Sequence, residues 1–201
     1  VHTLHAGWCF QDTVSINAYN DVGIRVDYSG LPRMKNSGVD NRFDYTRLVP
    51  NRIYIPDRAD YQSESVSVGN TLYEIPVTTV PHNMLKLLIF FNALSRRRWP
   101  SLLRSYSFAQ INVMPVIFRS FIKKVFQEYP DIPYFATYFH ADELLPDERK
   151  SGQALIFYRR SNLLENLLFL IDLARRYGRE VRFTNFQAFT AEAIPHETRP
   201  C

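Results

Sequence analysis

Residues 22–29 read Val-Gly-Ile-Arg-Val-Asp-Tyr-Ser, and this stretch decides the fold that we predict for the chain. Apolar and polar side chains alternate over residues 24–29, and a glycine and a proline follow closely, which is typical of a short β-strand. Before it, Asp12 is a favourable N-cap for a helix that runs to about residue 22, where Gly23 supplies the stop. The stretch therefore predicts a helix followed by a strand with its polar residues, Asp27 among them, at the C-terminal end.

Strand patterns and helix patterns alternate along the rest of the chain. We predict further strands over residues 1–10, 71–79, 133–140 and 180–184, and further helices over residues 83–94, 114–125 and 162–178. Strands that alternate with helices indicate an α/β fold built on a parallel sheet. Sites in such folds lie where the strands end, so the strand-end side chains are the first candidates for function.

Two of these helices have distinct sequence signals. Met114, Phe118, Phe121, Ile122 and Val125 form one apolar stripe, which predicts packing against a core. In the later helix, Asn162 and Glu165 have the spacing of a capping box, Gly178 marks the end, and one apolar face is predicted. The side chains of that face are Leu164, Leu167, Leu168 and Ile171.

Composition limits the class of protein. The chain has 201 residues, 46% apolar and 22% charged, which excludes disorder and suffices for a substantial core. No apolar run approaches the ~20 residues of a membrane helix, and Cys9 and Cys201 do not form a disulfide framework. The net charge of +4 is small, and the three arginines at 96–98 end an apolar helix, so we predict no nucleic-acid partner. We expect a soluble protein, with the cytoplasm favoured.

Three strand-end residues are candidates for chemistry or binding. His140 follows an aromatic strand and precedes two acidic residues, so it suits general acid or base work, although it could equally hydrogen-bond a loop. Asp27 could orient a catalytic group or bind a sugar hydroxyl, or make an Asx turn before Gly30. Trp8 could stack on a sugar ring or pack in the core.

The sequence contains no complete metal-binding motif. His2 and His5 are three residues apart in a predicted strand, so their side chains face opposite ways and do not form a zinc pair.

Residues 30–69 show no sustained helical or strand periodicity, and an irregular insertion of this length is usually functional.

Several short motifs occur in an order that is known from one family. They are His-Ala-Gly-Trp (5–8), Val-Gly-Ile-Arg-Val-Asp-Tyr-Ser (22–29), Phe-Asp-Tyr (43–45), Ala-Asp-Tyr (59–61), Leu-Tyr-Glu-Ile-Pro-Val (72–77) and Tyr-Phe-His-Ala-Asp-Glu-Leu (138–144). Their order and spacing resemble the later two thirds of polysaccharide deacetylases of carbohydrate esterase family four. The resemblance implies a single domain over residues 1–201, an incomplete (β/α) barrel that lacks its first strands and carries the insertion at about 30–69.

The resemblance also implies an activity, the hydrolytic deacetylation of an N-acetylated sugar or polysaccharide. In that family a divalent metal, such as zinc, cobalt or nickel, polarises the acetyl carbonyl and activates water. His140 matches the histidine that protonates the leaving group, and Asp27 matches an aspartate at a strand end. His5 stands where the family has an arginine that orients the catalytic base. The implied catalytic residues are His140, His5 and Asp27, and the implied substrate-binding residues are Trp8, Tyr28, Tyr45 and Tyr138.

The departures from the family pattern matter as well. The early Asp pair and the His-x-x-x-His motif have no counterpart in the chain. We therefore expect an N-terminally truncated chain whose metal ligands lie outside it, and which is inactive alone. Because histidine lacks the forked donors of arginine, His5 favours an alternative, a non-catalytic carbohydrate-binding or scaffold relative that has lost the metal site.

Overall fold

A computed structural model describes residues 3–4, 11–37, 42–65, 71–81, 106–107, 110–138, 159–184 and 188–189. The strands are β1 (Thr3–Leu4), β2 (Val26–Asp27), β3 (Lys35–Ser37), β4 (Arg42–Asp44), β5 (Tyr73–Glu74), β6 (Val80–Pro81) and β7 (Tyr106–Ser107). The helices are α1 (Thr13–Asp21), α2 (Pro115–Glu128) and α3 (Arg160–Arg176).

A small parallel sheet organises the first part of the chain. Its order is β1-β2-β5, with Leu4 opposite Asp27 and Asp27 opposite Glu74. The parallel direction predicted for these strands is confirmed, whereas the incomplete barrel stays a prediction. Since β2 is central and parallel, its C-terminal residue lies beside the C-terminal residue of each neighbour.

Helix α1 begins and ends where the sequence predicts. The Asp12 side chain accepts a hydrogen bond from the Ser15 backbone N–H at 2.7 Å, and the Ser15 Oγ accepts one from the Asp12 backbone N–H. Gly23 follows with a φ of +81°, the left-handed conformation that glycine adopts without strain. The cap and the glycine thereby fix the turn that leads into β2.

The predicted insertion contains regular structure. Strands β3 and β4 pair antiparallel, and Lys35 and Asp44 at one end of the pair form a salt bridge of 2.7 Å. Further along, the backbone of Tyr54 pairs antiparallel with Glu74. The insertion therefore adds a hairpin and extends the parallel sheet beyond β5 with one bridge.

Two buried clusters form the core. One surrounds the sheet and α1, and its members include Ile16, Tyr45, Leu48 and Leu72. The other lies between α2 and α3. The stripe predicted for α2 is confirmed: Phe118, Phe121, Ile122 and Val125 are buried there, and Met114 is the N-cap.

The start predicted for α3 is wrong, and its predicted apolar face is right only in part, since Leu167 packs against the buried cluster and Ile171 is half-buried. The helix begins at Arg160, and no side chain caps it. Asn162 instead donates to the carbonyl of Asn112, and Glu165 pairs with Arg119 of α2, so both predicted capping residues serve contacts outside the helix. Leu164 and Leu168 are exposed, because the face that packs against α2 centres on Asn166, Leu170, Leu173 and Ala174.

Two predicted strands are also wrong where they are described. Residues 133–138 lie beside Thr78, whose N–H donates to the Ala136 carbonyl. The Ala136 N–H donates to the Thr78 hydroxyl at 2.9 Å and not to a backbone carbonyl, so the two segments do not form a β-ladder. Residues 181–184 form no strand, and Arg182, Phe183 and Thr184 are exposed. The helix predicted over 83–94 lies outside the described residues.

None of the described helices combines the length and apolar character that crossing a bilayer requires.

Asn166 provides a test of the helix packing. Its buried amide donates to the carbonyls of Ile111 and Val113, both at 2.7 Å. Asn166→Ala leaves two buried carbonyls without these donors, so we expect the free energy of unfolding in urea to fall by about 2 to 4 kcal/mol. Leu164→Ala, on the exposed side of the same helix, should change it by less than about 0.5 kcal/mol. Equal losses in the two variants would contradict this packing.

Candidate functional site

Two carboxyl groups lie side by side at the C-terminal end of the parallel sheet. Asp27 ends β2 and Glu74 ends β5, and the two residues are register partners. Partners in adjacent strands are about 4.8 Å apart and direct their side chains to the same face. Asp27 is 0% exposed and Glu74 is 1% exposed, so both carboxyl groups are removed from solvent.

Among the described residues, neutral donors contact both acids of the pair. The Ser29 N–H and hydroxyl donate to Asp27 Oδ1 at 3.0 and 2.5 Å, and the Gly30 N–H donates to Glu74 Oε1 at 3.1 Å. The Gln11 amide bridges the two acids, since its Nε2 donates to Asp27 Oδ2 and, at 3.3 Å, to Glu74 Oε2. These contacts cross-link the segment before α1, the end of β2 and the end of β5.

The environment opposes a full double charge. Burial, and secondarily the nearby Asp27 charge, raise the pKa of Glu74 well above its ordinary value of 4.5, and the hydrogen bonds from Gln11 and Gly30 oppose this rise. Two carboxylates that share a dry site do not both ionise readily. Burial beside Asp27 thus favours the protonated form of Glu74.

The backbone holds Glu74 from both sides. Ile75 N–H donates to the Asp27 carbonyl at 2.8 Å, and Tyr54 and Glu74 exchange two hydrogen bonds of 3.2 and 2.8 Å on the other edge. Gly30 permits the close approach, because a Cβ at this position would lie 2.6 Å from Glu74 Oε1 and 2.7 Å from Leu48 Cδ2. The Glu74 carboxyl therefore has little freedom to turn away.

The sequence-predicted residues occupy different environments. Asp27 is buried in the pair, and Tyr28 beside it is half-buried. Tyr45 is fully buried, stacked on Phe43 at 4.8 Å between ring centroids, so its described position is in the core and offers no surface to a ligand. Tyr138 is half-buried and packs against the cluster that contains Tyr45.

Three predicted site residues, His5, Trp8 and His140, lie outside the described residues. Of the seven, Asp27, Tyr28, Tyr45 and Tyr138 are described, and the sheet and its adjoining core bring them to one part of the molecule.

Sequence reasoning missed Gln11 and Glu74. Glu74 is a charged residue inside the apolar run Leu-Tyr-Glu-Ile-Pro-Val, and a charge in a predicted buried strand is the signal that could have found it. Gln11 directly precedes the helix cap, a position at which polar residues are ordinary. Gln11 bridges the two acids only because β2 and β5 are paired in the sheet.

The pair does not fit a metal-ligand set. Within the described ranges, no three His, Cys, Asp or Glu side chains lie together in a way that would hold a metal ion. N–H and O–H donors point at the carboxyl oxygens of Asp27 and Glu74, which is a hydrogen-bonding arrangement. The metal implied by the family resemblance therefore has no ligand set in this cluster.

A separate cavity of about 470 Å³ lies between the helices α2 and α3 and residues 132–137. Its walls are mainly apolar, and neither acid of the pair lines it. Arg179 at its edge already donates to the carbonyl of Ile132 at 2.7 Å and pairs with Asp131 at 3.5 Å. The buried pair, with converging polar groups and a perturbed pKa, is the better candidate for chemistry.

No protein-family model, curated protein or solved structure matches the chain.

The pair predicts an unusual dependence of stability on pH. Because burial raises the pKa of Glu74 in the folded chain above its ordinary value of 4.5, the free energy of unfolding should fall as pH rises from about 4.5 toward the raised pKa of Glu74. The slope from one proton is at most about 1.4 kcal/mol per pH unit. Glu74→Gln removes the titrating group, so urea unfolding between about pH 5 and pH 8 should show a shallower decline.

The matched control is Glu64→Gln, an exposed glutamate paired with Arg52, which should keep the wild-type slope. If Glu74→Gln keeps the same slope as Glu64→Gln, the retained proton does not exist.

Proposed function

We propose that the chain is part of a hydrolase that deacetylates an N-acetylated sugar or polysaccharide, in which it supplies the general acid and the substrate pocket. The observation that carries the proposal is Asp27, a fully buried carboxyl group at the C-terminal end of a parallel strand, held by Ser29 and Gln11. Strand ends of parallel sheets are where enzymes of α/β folds hold their reacting groups. The order of the motifs around this strand supports the substrate class.

Burial limits what Asp27 can do. A carboxyl group with no exposed surface does not touch a glycan, so it acts through a neighbouring group. A buried carboxylate that accepts a histidine N–H fixes the ring orientation and stabilises the protonated ring. Asp27 is therefore proposed as a positioning residue for the general acid, which the resemblance assigns to His140.

The segment that leads to His140 supports this pairing. Residues 133–138 run alongside the chain that continues β5, where the Thr78 N–H donates to the Ala136 carbonyl at 3.0 Å. Tyr134 donates from its hydroxyl to the Pro76 carbonyl at 3.2 Å, and Tyr138, two residues before His140, packs against the core beside the sheet. Residues 134–138, which directly precede the segment with His140, are thus held against the chain that follows β5 and the core beside the sheet.

The substrate is an N-acetylglucosamine oligomer in the proposed reaction. Water adds to the acetyl carbonyl, the carbon–nitrogen bond breaks, and the general acid supplies the proton that the leaving amine needs. A divalent metal would supply the polarisation of the carbonyl when it is bound. In this reaction the chain itself supplies the proton from His140, and Asp27 orients the His140 ring.

Turnover of such an oligomer by the complete gene product tests the proposal. We expect His140→Ala to lower kcat by a factor on the order of 10² to 10⁴, and Asp27→Asn by about 10- to 100-fold. Because Asp27 acts through the histidine, the double variant should be no slower than His140→Ala alone. Asp21→Asn, an exposed aspartate paired with Arg58, is the matched control and should leave kcat unchanged.

Two outcomes would count against this function. Losses that multiply in the double variant would show that Asp27 and His140 act independently. The second is an oligomer that binds without turnover, to a complete protein that is purified without zinc, cobalt or nickel. This result would support the non-catalytic carbohydrate-binding alternative, which is favoured by His5 in place of the family's arginine.

A further inference from the structure

The two acids of the buried pair are not equivalent. Among the described residues, Asp27 accepts hydrogen bonds from the Ser29 N–H, the Ser29 hydroxyl and the Gln11 amide. Glu74 accepts two, from Gly30 and Gln11, and the Gln11 contact is long at 3.3 Å. Hydrogen bonds donated to a carboxyl group favour its ionised form, so the donors favour charge on Asp27 over charge on Glu74.

The other titratable groups that sense Glu74 do not compensate its charge. Burial is the main cause that raises the pKa of Tyr54 in the bridging segment, of Tyr61 and of Tyr134, and a charge on Glu74 would raise each of them further. All three phenols are neutral at pH 7. The contacts of Glu74 described above thus supply hydrogen bonds and no positive charge.

We propose that Glu74 is a positioning residue that keeps the single proton of the pair, so that Asp27 carries the pair's negative charge in a fixed orientation. The proposal deepens the function given above, since that function makes Asp27 the group that orients the general acid. Two geometric facts carry it: Glu74 is fixed by backbone pairing to both β2 and Tyr54, and the Gln11 amide ties its carboxyl to that of Asp27. Glu74 thereby regulates the charge at the site without touching the substrate.

Carbon NMR of the side-chain carboxyl groups tests the proton assignment in the wild-type protein, whether or not the protein has the proposed activity. The Glu74 and Asp27 signals are assigned by their loss in Glu74→Gln and Asp27→Asn. We expect the Glu74 carboxyl to remain protonated at pH 7 and to show a shift between light and heavy water, while Asp27 is ionised. A Glu74 signal that titrates with the exposed glutamates, or a proton found on Asp27, would overturn the proposal.

Kinetics test the positioning role once turnover is measured. Glutamine mimics protonated glutamate, so Glu74→Gln should stay within about threefold of the wild-type kcat, whereas Glu74→Ala should lose about 10- to 100-fold in kcat with KM little changed. Equal losses in both variants would mean that Glu74 serves packing alone. Absence of turnover in the wild type would remove the proposed function, and the NMR result would still decide where the proton lies.

Discussion

The side-by-side burial of Asp27 and Glu74 is the constraint on which the rest of this region depends. Placing two acids at matching positions of adjacent parallel strands brings them within about 5 Å of each other, where two full charges would repel by several kcal/mol even in a moderately polar interior. A retained proton removes most of that cost. The surrounding segments then have to supply hydrogen bonds, and Gln11, Ser29 and Gly30 do so.

The local structure around the pair supplies these hydrogen bonds and the space for the two carboxyl groups. The Asp12 cap starts α1 directly after Gln11, so the helix fixes the position from which the Gln11 amide reaches both acids. Gly30 has no side chain because Glu74 and Leu48 occupy the space beside it. From the insertion, Tyr54 pairs with the backbone of Glu74, and Leu48 lies beside Gly30. A buried pair of acids is useful where a neighbouring group needs a fixed proton affinity.

The sequence predicts those elements whose signals lie within a few residues, and it predicts the tertiary contacts poorly. The Asp12 cap, the Gly23 stop and the stripe of α2 are encoded within a few residues, and each is found. The face of α3 is predicted only in part, because Asn166, a polar residue, lies at its centre and donates to two carbonyls. In the site, Asp27 is found because it ends a recognisable strand, whereas Glu74 and Gln11 acquire their roles only from the pairing of β2 with β5. Nothing local to either residue records that pairing.

Infrared spectroscopy at neutral pH tests the retained proton most directly, since a protonated carboxylic acid has a carbonyl stretch that ionised carboxylates lack. We expect this band in the wild-type protein and in Glu64→Gln, and its loss in Glu74→Gln. Absence of the band from the wild type, or its persistence in Glu74→Gln, would show that the buried pair holds no proton on Glu74.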